Sequence, residues 1–402
     1  MNGEQHDLQI GVASVDITPP AGATMVGYQA RKSNAVGLRL GAQALVCSGA
    51  SGSWALVTSD TIGYTYGYAR RIREAIAEAT GIPAEAVILS GTHTHSGPST
   101  IVFGRGEDLD TLDREYLDAL HGKLVQLVTT AQANAAPGSF ETAWTEAPDV
   151  GHNRRIRKSD GTWGNEWEDP EGRHTGYFDP AILLVAVRRP DGRCDALLVN
   201  FGCHPVVLGP KSLVLSGDYV GYMRRYLENE AGCGIPLFAL AACGNINPRV
   251  CVGTDTGEAE RMGKTVARIV MDAIPRLSPV DPGPVAVCSV PWEFQRTREN
   301  PKRKGNAGYN REDIVRTEIV AARAGELGII ATPGELFSEF NKPLREASPT
   351  GDTVVVTLAH DYIGYIPTDR AQEEGAYETT MAPATNLEQP FLEHAQRAFA
   401  GC

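Results

Sequence analysis

A chain of 402 residues with 42% hydrophobic side chains can bury a sizeable core, as two or three domains or as one large α/β unit. Its formal net charge of −12 gives it no general attraction for nucleic acid or anionic membrane. No apolar run approaches a membrane-spanning length, and the polar start Met1-Asn2-Gly3-Glu4 has neither part of a secretory signal, so a cytoplasmic location is expected.

Residues 10–18 read as a strand running into Pro19-Pro20, and residues 53–60 as a second strand. Residues 68–80 carry Ile72, Ala75, Ile76 and Ala79 at helical spacing and stop at Gly81. The apolar run 86–89 follows, giving strand, helix, strand in a βαβ pattern. That strand delivers Leu89-Ser90-Gly91-Thr92-His93-Thr94-His95-Ser96-Gly97-Pro98, a loop placed where α/β proteins bind ligands. His93 and His95 are two apart, so extended backbone would turn both to one side. The plain alternative is a polar loop with two solvated imidazoles. Residues 113–133 form a longer helix through Leu117, Leu120, Leu124, Leu127 and Val128.

Residues 147–176 lack periodicity and are too long for an ordinary connection, which predicts a functional loop or lid. The run His152-Asn153-Arg154-Arg155-Ile156-Arg157-Lys158 is either a solvated basic face or a site for a carboxylate or oxyanion. Strands at 181–187 and 196–201 flank Pro190-Asp191-Gly192, and the second leads to Cys203-His204-Pro205. A helix at 219–230 and a buried strand at 236–242 come next, and the strand ends in Cys243-Gly244-Asn245-Ile246-Asn247-Pro248. Residues 258–274 are an amphipathic helix, and the basic stretch 294–304 predicts a surface loop. Residues 315–324 read as helix and 327–332 as a strand before Pro333-Gly334-Glu335. Residues 353–358 read as a strand before His360-Asp361-Tyr362-Ile363-Gly364-Tyr365, and 390–400 as a last helix. The eight cysteines include no Cys-x-x-Cys, which predicts small core residues and no disulfide framework. No internal repeat is visible. The expectation is a single α/β domain over 1–402, with a central mixed sheet flanked by helices and a metal site on loops at the strand ends.

Three polar loops thus follow buried strands and carry His93 with His95, His204, and Glu335; a fourth carries Tyr362 and Tyr365. Two neutral imidazoles and a carboxylate suit Zn2+ with one position open to water. In order, GVASVDITPP, LSGTHTHSGP, NFGCHP with LSGD, CGNINP, TPGE, and DYIGYIPT followed by YE resemble the neutral ceramidase family, from about residue 8 to about 380. These are zinc amidases that cleave an N-acyl bond.

The resemblance implies that His93, His204, Glu335 and Tyr365 bind zinc, Tyr365 being the second tyrosine of Tyr-x-x-Tyr. It implies that His95 binds or protonates the reacting group and that Tyr377 contacts the scissile carbonyl. Arg154 would stabilise the oxyanion, with Arg155 or Arg157 as alternatives. Where the family has a serine, this chain has Asn247, which donates a hydrogen bond but is no comparable nucleophile. The implied reaction is hydrolysis of an amide, or of a lactam or ester, of a small soluble molecule by zinc-bound hydroxide. The basic run after His152 points to an anionic group on that substrate. Amide formation or acyl transfer at the same site, ceramide itself as substrate, and an inactive zinc-dependent binding protein are the competing readings. Other members carry a C-terminal β-sandwich domain that is not expected here. Neither a nucleic-acid partner nor a stable membrane association is expected, and the oligomeric state is left open.

Overall fold

The computed structural model describes residues 8–101, 111–297 and 314–402. A first unit is built from β1 (Leu8–Asp16), β2 (Gly41–Gly49), β3 (Gly52–Ser59) and β4 (Val87–Gly91). β1–β2 and β2–β3 are antiparallel, while β3–β4 is parallel. The parallel step requires a crossover, supplied by helix α1 (Tyr66–Thr80), and helix α2 (Thr111–Ala133) follows β4. α1 stops at Gly81, whose φ of 75° lets its N–H reach Ala77 O.

The same order then recurs twice. The second unit is β5 (Ala136–Glu146), β6 (Ala181–Arg188), β7 (Cys194–Phe201), α3 (Asp218–Glu230), β8 (Ile235–Leu240) and α4 (Thr256–Ala273). The third is β9 (Val285–Gln295), β10 (Ile314–Ala324), β11 (Leu327–Ala331), α5 (Asn341–Ala347) and β12 (Asp352–Val356). Two short helices and then α6 (Glu388–Ala400) complete it. The first two units join through β1 and β5 into one mixed sheet, β8-β7-β6-β5-β1-β2-β3-β4, with Ser278–Pro279 paired beside β5. The third unit is a separate sheet, β9-β10-β11-β12. The repeat that the sequence did not show therefore exists as topology: it needs a pattern of burial and turns, not matching side chains.

Burial explains the unbroken apolar runs. Leu183, Val185 and Val187 of β6, Leu237 and Ala239 of β8, Val320 and Ala322 of β10, and Val354 and Val356 of β12 share one interior with the first unit. Their neighbours face outward under helices: Ile182, Leu184 and Ala186 lie with α3 and α4, and Ile319, Ala321 and Val355 with α6. Strands buried on both faces read as continuous hydrophobic segments. The expected mixed sheet flanked by helices is thus what forms.

Several expectations are corrected. Residues 315–324, read as helix, are strand β10, paired with β9 from Val285↔Ala324 to Gln295↔Ile314. Burial against α6 and the interior overrides a weak helical propensity. Cys194 and Cys233 are joined as a disulfide with Cα atoms 4.7 Å apart, although nothing in the cysteine spacing indicated it. The stretch 147–176 contains the short strands Gly151–Asn153, Arg155–Arg157 and Trp163–Asn165, the first paired with Ile246–Pro248. The basic stretch 294–304 begins inside β9 and from residue 298 lies outside the described residues. Among the described residues no helix is long and apolar enough to cross a membrane.

The three parallel pairs aim their C-terminal ends at one place. Ser90 Oγ donates to Thr357 O at 2.7 Å, and Thr357 N donates to Leu240 O at 2.9 Å, so the ends of β4, β8 and β12 touch. Asn200 fastens β7 to β8 and to β12 of the third unit: Nδ2 donates to Ala239 O (2.8 Å) and Val355 O (2.7 Å), and Oδ1 accepts from Val355 N (3.0 Å). Asn200→Ala leaves buried backbone groups unpaired, at on the order of 1–3 kcal/mol each. We expect the urea midpoint to fall with an unchanged m value; an unchanged midpoint would show that Asn200 does not join the units.

Candidate active site

The loops after β4, β7, β11 and β12 carry, in turn, His93 with His95, His204, Glu335, and Tyr362 with Tyr365. His93 sits two residues beyond β4 with φ 69°, a left-handed backbone held by Thr92 N to Ser59 O (2.7 Å) and His93 N to Thr61 O (2.9 Å). His93 and His95 therefore converge through a turn, not through the alternation of an extended strand; their Nε2 atoms are 3.4 Å apart. Gly27, with φ +102°, lets the opposite loop lie on the His95 ring, where a Cβ would stand 2.6 Å from Cγ. His204 follows β7, and Asp218 of LSGD shapes the loop beyond it by accepting from Val207 N and Leu208 N. Gly334, with φ +70°, makes the turn that presents Glu335; a Cβ there would meet Gly364 O at 2.4 Å.

The donors form a compact, buried set. Glu335 Oε2 lies 2.9 Å from His204 Nε2 and 3.5 Å from His93 Nε2, and all three residues are nearly inaccessible. The imidazoles of His93, His95 and His204 also bring their donor atoms within 4.8 Å of one another. His93 Nδ1 contacts Ile62 O at 2.7 Å and His204 Nδ1 contacts Ile246 O at 2.8 Å. A carbonyl only accepts, so Nδ1 carries the proton in both rings and Nε2 turns a lone pair inward. Burial, then the neighbouring imidazoles, holds His95 well below its ordinary pKa, and burial likewise lowers His204. Burial would raise the Glu335 carboxyl, but positive charge on His93 and His204 would outweigh it and hold it well below the usual range; with both rings neutral, that charge has to come from a cation. Lone pairs of His93 and His204 therefore face a carboxylate oxygen, a group of acceptors that a cation between them reconciles. Corners of a tetrahedral zinc site with bonds near 2.0 Å lie about 3.3 Å apart, the scale of these separations.

Tyr365 is paired with Glu335 in a short parallel ladder, and its hydroxyl accepts from Arg154 Nη2 at 3.1 Å. Burial raises the Tyr365 pKa well above its ordinary value. Tyr362, which the sequence reading left without a role, donates its hydroxyl to Glu335 Oε1 at 2.6 Å, and so leaves Oε2 for the histidines. Tyr377 hydrogen-bonds with Tyr365, their ring centroids 5.8 Å apart.

Of the three candidate arginines, Arg154 enters this site. Its Nε donates to Glu378 Oε1 (2.8 Å), Nη1 to Asn247 Oδ1 (3.0 Å), and Nη2 to Gly244 O (2.7 Å). Arg155 turns away to Glu374, Glu378 and Gly375 O, and Arg157 is exposed. Arg154 and Arg155 thus share the buried carboxylate of Glu378, and neither is an unneutralised cation awaiting an anionic substrate. Glu378 lies 224 residues from Arg154 in sequence. Its only signal was its place directly after Tyr377. A narrow cavity lined by His93, His204, Cys243, Gly244, Glu335 and Leu358 adjoins the set. A larger surface cleft at Leu8, Phe140, Arg188 and Pro282 lies at the opposite ends of the strands, away from these groups.

Residues 8–265 match the family model described as neutral/alkaline non-lysosomal ceramidase, N-terminal. Neutral ceramidase A of Dictyostelium discoideum is 25% identical over 57% of this chain and 33% of its own length. Neutral ceramidase of Pseudomonas aeruginosa is 23% identical over 62% of this chain and 38% of its own. The aligned region thus spans about a third of the length of these relatives. The crystal structure of the Pseudomonas aeruginosa enzyme superposes with a TM-score of 0.78 at 18% identity, over 98% of this chain and 74% of that one. With its family match covering more than half of the residues, the chain belongs to the neutral/alkaline non-lysosomal ceramidase family.

Proposed function

We propose that the chain is a zinc-dependent amidohydrolase that cleaves an amide, or a related lactam or ester, of a small molecule. The observation that carries this reading is the inward-facing set of His93, His204 and Glu335, with Tyr365 paired beside Glu335. Zinc held there would lower the pKa of a water toward neutrality and so supply the nucleophile. Tyr362 fixes which Glu335 oxygen faces the histidines. His95 and Tyr377 keep partial exposure, so they are the groups able to reach a substrate carbonyl. Tyr377 would donate to the developing oxyanion and His95 would carry a proton to the leaving nitrogen. Arg154, with four of its five N–H donors engaged, supports this by fixing Tyr365. No side-chain nucleophile is required, which accommodates Asn247 in place of a serine. Because Glu378 and Glu374 together neutralise Arg154 and Arg155, a substrate without a negative charge suits the site best.

The test is release of carboxylate from a panel of neutral N-acyl amines, lactams and long-chain ceramide in oxygen-18 water, with intact-protein mass spectra during a single turnover. We expect a labelled carboxylate, no acylated protein, and faster turnover of small amides than of ceramide. An acyl adduct would contradict the mechanism, and condensation without hydrolysis would contradict the reaction.

A further inference from the structure

Most of the converging polar groups are sealed: His93, His204, Glu335, Arg154, Asn247 and Tyr365 are all buried. His95, Tyr362 and Tyr377 keep partial exposure, so the approach passes them. Beside Tyr377 stands Trp167, ring centroids 5.6 Å apart and planes at 79°, with the Arg154 guanidinium 5.2 Å from the indole centroid. Trp167 is 42% exposed, a large apolar surface left in solvent at the rim of the site.

What holds Trp167 there is its backbone. Trp167 O accepts from Asn247 Nδ2 at 3.0 Å and from Cys251 Sγ at 2.9 Å. The other end of the Asn247 amide, Oδ1, accepts from Arg154 Nη1. This orientation is forced, because a guanidinium only donates and a carbonyl only accepts. The second Nδ2 hydrogen has Cys251 Sγ at 3.6 Å. The amide is therefore occupied at both ends and is not a donor waiting for substrate. The position that carries a serine elsewhere in the family here bridges the site arginine to the segment bearing Trp167.

We infer that Trp167 is a specificity-determining wall and Asn247 the positioning residue that sets it. The substrate class is an amide with a planar apolar group, such as an aryl ring, next to the scissile bond. The ring stacks on the indole while the carbonyl lies toward Tyr377. This rests on the amidohydrolase reading for the word substrate, but the wall is testable by binding alone.

The experiment titrates phenylacetamide and hexanamide against the zinc-loaded chain, following tryptophan emission, with isothermal calorimetry as a second readout. We expect phenylacetamide to bind more tightly than hexanamide by about three- to tenfold, the scale of one aromatic contact. Trp167→Ala should erase that preference and Trp167→Phe should keep it. Asn247→Ala should erase it too, with greater acrylamide quenching of Trp167, measured as the difference from Asn247→Ala/Trp167→Phe. The double variant Asn247→Ala/Trp167→Ala should lose no more than Trp167→Ala alone, the mark of two residues acting through one contact. A preference that survives in Trp167→Ala would overturn the wall, and losses that multiply in the double variant would overturn the role of Asn247. Binding preference without hydrolysis of any amide would support this inference while contradicting the function proposed above.

Discussion

Replacing His204 by alanine is expected to remove both the metal and the activity. His204 Nε2 stands 2.9 Å from Glu335 Oε2, and its other nitrogen is anchored on Ile246 O, so the ring is held with Nε2 toward the carboxylate. Alanine leaves Glu335, a carboxylate in a buried site, with half of its imidazole partners. Turnover should fall by more than about a thousandfold, beyond the loss of a single positioned hydrogen-bond donor. Excess zinc should raise the melting temperature of the native chain, since a ligand of the folded state stabilises it by mass action, but not that of the variant. A variant that keeps both its zinc stabilisation and its activity would remove His204 from the metal set.

The second large effect belongs to Arg154→Ala, and it is an effect on stability as well as on turnover. Arg154 is 4% exposed and donates to Glu378, Asn247, Gly244 O and Tyr365 together. Glu378 is fully buried, so removal of the arginine leaves a carboxylate held only by Arg155 and Asn165. Breaking one side of such a buried pair costs on the order of 3–5 kcal/mol. Lysine should not restore it, because an ammonium cannot present the planar fork that spans these acceptors. Arg154→Met combined with Glu378→Gln should regain part of the stability but not the activity, as read from urea midpoints and amide turnover on the same preparations. Full stability of Arg154→Ala alone would mean that Glu378 finds compensation elsewhere.

Much of this site was legible because strand-end loops in an α/β protein converge whatever their spacing. His93, His204 and Glu335 could be named from the loops that follow apolar runs. The partners that orient them could not. Tyr362 and Tyr365 look equivalent in Tyr-x-x-Tyr, and only the fold shows that the first reaches Glu335 Oε1 while the second faces Arg154. Asn247 read as a donor for substrate because its saturation by Trp167 O and Arg154 depends on segments 80 and 93 residues away. The threefold topology was invisible for a related reason. Its units share hydrogen-bond order and burial, while the loop after the third strand begins with Asp60 in the first unit, carries His204 in the second and Glu335 in the third, and His93 instead follows the fourth strand of the first unit. β10 was misread because a strand buried between an interior and a helix tolerates Ala, Arg and Glu at positions that a local reading assigns to a helix.

The account turns on metal-dependent hydrolysis, and one titration tests it most directly. The chain is stripped with a chelator, verified metal-free by elemental analysis, and assayed on the best amide from the panel while zinc is added back. The account predicts no turnover in the stripped protein and recovery that saturates at about one zinc per chain, the stoichiometry of a single site with three or four protein ligands. Full hydrolysis by the metal-free chain would contradict it.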